Sequence, residues 1–221
     1  MSKRKKLKNN NIQDDVKDNS IEKDNITKRV VFVFSCPGQK EAQAGMPCSG
    51  RTGKNLDLLL TQLHQKYPCY FSSQKRYDYR IINASTKVHY MKKTGDTEPS
   101  EPEIDDSNNI ARIEASLHKD DIVICFGEKA KYAIDIVNKN KRIRLRKIIL
   151  AEHLSFQHLN TTYNKVNGKT PQDRTKKRIK LAEKSIFRFF CKAKMLKKMF
   201  CAVVLLIVVL LVLLLVFFIG R

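Results

Sequence analysis

The chain has six cysteines but no Cys-x-x-Cys pair. Nothing in their spacing specifies a disulfide framework or a zinc or iron–sulfur site, so they read as reduced thiols. No secretory signal stands at the amino-terminal end, and no internal repeat is evident. Acidic residues are scarce, 22 against 43 Lys and Arg, which leaves a net charge of +21. The phosphate-binding pattern G-x4-G-K-[ST] is missing as well. Gly53-Lys54 is followed by Asn55, and Cys48 stands where the first glycine belongs. The pattern thus fails at the tight turn and at the Mg²⁺-binding hydroxyl, which argues against a nucleoside triphosphatase.

Acidic residues are fewest near the carboxyl end, where residues 165–198 hold 13 basic and 2 acidic residues, a net +11. Such a segment attracts anionic lipid headgroups or nucleic-acid phosphates. Directly after it, Cys201 to Ile219 is an uncharged apolar run. As a helix it would reach roughly 28 Å, about the thickness of a bilayer hydrocarbon core. Lys192, Lys194, Lys197 and Lys198 precede the run, and only Gly220 and Arg221 follow it. The positive-inside rule then leaves the body of the chain on the cytoplasmic face of a membrane, held by a single carboxyl-terminal anchor.

Residues 1–28 are polar and aperiodic and read as a disordered tail. Beyond them apolar strands alternate with helical patterns. Residues 30–35 read as a strand, residues 55–65 as a helix with Leu56, Leu59, Leu60 and Leu63 on one side, and residues 79–82 as a second strand ending at Asn83. Residues 93–106 are turn-rich and acidic and read as a surface loop. A helix over 110–117, a strand over 121–126, a helix from Gly127 to Val137 and a strand over 147–151 follow. Residues 173–198 read as a long basic amphipathic helix. The alternation predicts an α/β fold of three α/β/α layers around a mostly parallel four-stranded sheet, over residues 29–164, plus the transmembrane helix within 199–221. Sites in such sheets lie beyond the strand carboxyl ends, where the Ser35–Gly38 loop, Asn83, Gly127 and His153 all fall.

The loop after the first strand carries a family resemblance. Pro37-Gly38, Glu41, Gly45, Pro47, Gly50 and Gly53 keep the spacing of the first motif of bacterial and archaeal uracil-DNA glycosylases, approximately GEAPGxxEDxxGxPFVGxAG. Ile82-Asn83 resembles the Thr-Asn that ends the family's second strand. Ile124-Cys-Phe-Gly127 resembles a later strand end, and His153-Leu154-Ser155 resembles the His-Pro-Ser motif. These elements stand in family order over residues 30 to about 160.

The resemblance implies a nucleotide flipped out of DNA into a pocket, followed by hydrolysis of its N-glycosidic bond. Asn83 would read the base edge, with Cys48, Pro37 and Gly38 forming the rest of the base site. His153 would stabilise charge on the departing base. The segment from Leu154 to Thr161 would correspond to the family's DNA-probing loop, where Ser155 and Phe156 would meet DNA, with Phe156 or Leu159 as an apolar wedge unless both pack against the sheet. Read without the resemblance, Asn83 closes a strand and His153 is a loop histidine.

Two departures bear on mechanism. Ser35 stands where the family has its water-positioning acid, so Ser35 and Glu41 become the catalytic candidates beside His153; Glu41 and Glu152 are the nearest carboxylates in sequence. Cys48 replaces the phenylalanine that stacks on uracil and leaves room for a bulkier base. Lys87 occupies the position of a cluster cysteine, so no metal, no iron–sulfur cluster and no other cofactor is expected. The partners implied are DNA and, through Cys201 to Ile219, a membrane. A non-catalytic base- or nucleotide-binding module tethered to the membrane is the alternative.

Overall fold

The computed structural model describes residues 15–18, 29–140, 143, 145 and 147–190. The chain divides into two compact units, Met1–Ser185 and Ile186–Arg221. Of the second unit the described residues are 186–190, which are helical. The expected membrane span lies outside the described residues, as does most of the expected amino-terminal tail. Among the described residues no helix is long and apolar enough to cross a membrane.

The first unit is an α/β fold built on four strands: β1 (Val30–Phe34), β2 (Arg80–Asn83), β3 (Ile122–Phe126) and β4 (Lys147–Ala151). They run in the order β2-β1-β3-β4, and every pair is parallel. β1 and β3 are buried at every residue. That suits runs of Val, Ile and Phe, since parallel sheets are covered on both faces. Between the strands lie α1 (Gln39–Ala44), α2 (Arg51–Lys66), a 3-10 turn (Arg76–Asp78), α3 (Met91–Thr94), α4 (Glu101–Ile104), α5 (Ser107–Ala115) and α6 (Glu128–Lys139). α7 (Phe156–Thr162) follows β4, and residues 171–185 form a further helix.

One sheet face, with Val31, Val33, Val123 and Cys125, packs on Ile113 of α5 and Ile134 of α6. The other carries aromatic rings: Phe34 stacks on Phe126 with centroids 4.8 Å apart, and Phe32 meets Tyr79 at 5.3 Å. Burying rings of this size supplies much of the core's apolar area. Arg80 forms an ion pair with the buried Asp121, joining the start of β2 to the start of β3. On the helical side, Lys66 of α2 bonds Glu183 at 2.8 Å. Because β2 pairs on one side of β1 and the next crossover passes to β3 on the other, the strand order reverses beside β1. Ligands of such sheets sit in the crevice this reversal leaves at the strand carboxyl ends.

Three expectations are corrected. Residues 93–106 are not a plain loop, since they contain the end of α3 and all of α4. Ser100 caps α4, whose first turn contains a proline, and Asp106 caps α5 by accepting bonds from the Asn108 and Asn109 amides. Turn-forming composition hid start signals that serve helices equally well. Residues 15–18 of the expected tail pack against the domain: Val16 is fully buried beside Ala42 and Val88, and Asp18 pairs with Arg112. One valine between acidic residues gives no periodicity by which to be noticed. The stretch after His153, expected as a probing loop, is largely α7, capped by Ser155, whose hydroxyl accepts the His158 amide at 3.1 Å.

Candidate functional site

A cleft of about 850 Å³ opens at the carboxyl ends of the strands. Of the expected site residues, Ser35, Gly38, Glu41, Cys48, Asn83, His153 and Ser155 line it; Pro37 and Phe156 do not. Pro37 instead accepts the His89 amide on its carbonyl at 2.9 Å.

The loop after β1 is braced from within. The Glu41 carboxylate accepts the Gly38 amide at 3.2 Å and the Gly50 amide at 3.3 Å, clasping the loop's two ends. That geometry commits both oxygens of Glu41 to holding the loop's shape. Cys48 adopts a left-handed backbone (φ 54°) and is buried, and burial pushes its thiol pKa well up. Its carbonyl oxygen lies 1.6 Å from where a β-carbon at Gly53 would stand, so only glycine fits. Gly53→Ala is expected to destabilise the fold by about 2–3 kcal/mol, measured by urea unfolding. An unchanged midpoint would contradict this account of the loop.

Asn83 ends β2 and is 2% exposed. Its backbone is fully engaged: the amide donates to Asp18 at 2.9 Å, and the carbonyl accepts Arg112 at 2.7 Å. The side chain differs. Its Nδ2 is buried and has no hydrogen-bond partner among the described residues. An orphaned buried donor costs about 1–3 kcal/mol, which natural proteins tolerate mainly where a ligand or water completes it.

His153 follows β4. Its Nδ1 accepts the Ser155 amide at 3.1 Å, which fixes the neutral ring with its proton on Nε2. Burial, with a smaller contribution from His158, lowers its pKa to about 4. Gly127, at the end of β3, has φ 97°, and a β-carbon there would sit 3.2 Å from the His153 ring. The missing side chain is what lets the ring lie against the strand end. His153 is therefore a held, uncharged N–H donor at neutral pH.

His158, His89 and Cys36 also line the cleft and were not singled out by the sequence. His158 bonds Glu152 at 2.7 Å and meets the His153 ring edge-on at 6.1 Å. His89 places Nε2 between the two Glu103 oxygens, at 3.0 and 3.1 Å, while its Nδ1 is buried without a partner among the described residues. Cys36 bonds the Thr97 carbonyl, and burial pushes its thiol up to about 12, which makes it a poor nucleophile. His89 was readable only as part of the Lys-Val-His-Tyr run after β2, and its partner arrives 14 residues later on α4.

Of the two wedge candidates, Leu159 is buried and packs against the domain. Phe156 is 46% exposed, with the Arg51 guanidinium 4.4 Å above its ring. Among the described residues no cluster of three His, Cys, Asp or Glu side chains is arranged to hold a metal ion. No protein-family model matches the chain, and none of the curated proteins matches it.

Proposed function

We propose that the cleft receives a nucleobase flipped out of DNA and that the protein hydrolyses its N-glycosidic bond, the base being uracil or a relative. One observation carries this reading: the orphaned amide of Asn83 shares a cleft with a neutral, Nε2-protonated His153. A carboxamide donor suits a pyrimidine carbonyl, and its oxygen suits an imide N–H. A fixed neutral imidazole N–H suits the oxygen that gains negative charge as the C1′–N bond opens. The spacing resemblance of the first loop supports the same reading. So does the parallel four-stranded sheet, whose strand order leaves a crevice at the strand carboxyl ends. Cys48 in place of an aromatic leaves room for a base larger than uracil.

A second reading, a binding module without hydrolysis, is favoured by the fate of the carboxylates. Ser35 holds the position of the family's acid, and both Glu41 oxygens accept backbone amides. The run from Cys201 to Ile219 is the proposed membrane anchor, with the basic segment before it lying on anionic lipid.

One experiment addresses the activity and the anchor together. Membranes from cells expressing the full chain are incubated with uracil-containing single- and double-stranded oligonucleotides, followed by alkali. Alkali-labile sites are expected with the membrane fraction, shifting to the soluble fraction when residues 199–221 are removed. Intact oligonucleotides across a panel of modified bases would leave only the binding module. Full-length protein in the soluble fraction would remove the anchor.

A further inference from the structure

Resting on the glycosylase reading of the same cleft, we infer that the Glu103–His89 pair supplies the general base that the Ser35 position lacks. The loop after β2 runs alongside the loop after β1: the Ser85 amide bonds the Ser35 carbonyl at 3.0 Å, and the His89 amide bonds the Pro37 carbonyl at 2.9 Å. His89 is thereby pinned next to the segment where the acid is missing, and it lines the cleft. Its Nε2–H is held between both oxygens of Glu103, which also accepts the Ser85 hydroxyl.

A carboxylate that accepts Nε2–H leaves the neutral ring's lone pair on Nδ1. That nitrogen has no partner among the described residues and is shielded from solvent, so water reaches it only when the ring turns toward the cleft that His89 lines. A carboxylate orienting an imidazole, with the opposite nitrogen unfilled, is the arrangement that activates water in hydrolytic dyads. The step balances without a co-reactant. Nδ1 takes one proton from water as the water oxygen bonds C1′. The C1′–N bond breaks, its electron pair leaves with the base, and His153 Nε2–H stabilises that charge. The proton on His89 then passes to the departed base or to solvent.

The test uses the full chain and a single-stranded uracil oligonucleotide under single-turnover conditions. His89→Ala is expected to slow excision by about 10²–10⁴-fold, with oligonucleotide affinity unchanged within about threefold. Added imidazole should restore at least about tenfold, since it can occupy the vacated space and accept the proton. Glu103→Gln, which keeps a hydrogen-bond acceptor but removes the charge, should fall between the two. If His89→Ala does not fold, His89→Asn with the Glu103→Gln variant carries the same comparison. A His89 variant as fast as the parent overturns the inference alone. Loss without imidazole rescue, alongside a fully active Glu103→Gln, also overturns it by assigning His89 a structural role. A parent protein that excises no base overturns the glycosylase reading and this inference together.

Discussion

His153→Ala is expected to slow base excision by about 10²–10³-fold while leaving oligonucleotide binding nearly unchanged. Ser155 donates to Nδ1, so the only proton on the neutral ring is at Nε2. A donor fixed before the reaction stabilises developing negative charge without reorganising, which is why its loss falls on the chemical step. Retained activity in His153→Ala would refute this role.

The same residue sets a pH dependence of stability. Its folded-state pKa, about 4, lies below the ordinary histidine value of 6.5. Above pH 6.5 the ring is neutral in both states and has no effect. As pH falls through 6.5 the unfolded chain takes up the proton first, so stability declines until the folded ring protonates near pH 4. His153→Asn should flatten that part of the decline between pH 7 and pH 4, read by urea unfolding at successive pH values. An unchanged slope would contradict burial as the cause.

Asn83→Ala is expected to lower excision by about 10²-fold and, unlike most buried substitutions, to leave stability within about 1 kcal/mol of the parent. The side chain is 2% exposed, yet its Nδ2 bonds nothing among the described residues. Truncation forfeits packing but also removes an unsatisfied donor, and these effects oppose one another. Activity and stability should therefore separate, the pattern of a group kept for its ligand. Asn83→Asp offers a sharper variant, because a buried carboxylate cannot donate to a base carbonyl. A large fall in unfolding midpoint with undiminished excision would mean that Asn83 merely closes β2.

Most of this architecture was legible in the sequence, for identifiable reasons. β4 matches its expected bounds, and β1 and β3 differ from theirs by one residue, since buried parallel strands leave unbroken Val, Ile and Phe runs between turn signals. The segment from Ser35 to Gly53 was legible as a site because its glycines are tied to geometry, above all Gly53 beneath the Cys48 carbonyl, but α1 within it was not expected and α2 begins at Arg51 rather than at residue 55. Asn83 and His153 were found because each stands just past an apolar run, and parallel strands bring such ends together.

What stayed hidden depends on contacts between distant segments. Val16 gives no signal until Val88 and Ala42 enclose it. Glu41 looks like a spare catalytic carboxylate until the Gly38 and Gly50 amides are seen to converge on it. The pairing of His89 with Glu103 requires the chain to turn back through α3 and α4, a segment whose composition reads as loop. These are tertiary facts, and no local pattern encodes them.

Hydrolysis of an N-glycosidic bond in this cleft is the proposed reaction. Its most direct test is a single turnover of the full-length protein on a uracil oligonucleotide in heavy-oxygen water, with both products read by mass spectrometry. Free base in equal amount to abasic strands is expected, with the heavy oxygen at C1′, and loss of both products in His153→Ala. Strands recovered intact after demonstrable binding, across uracil and bulkier bases alike, would contradict it.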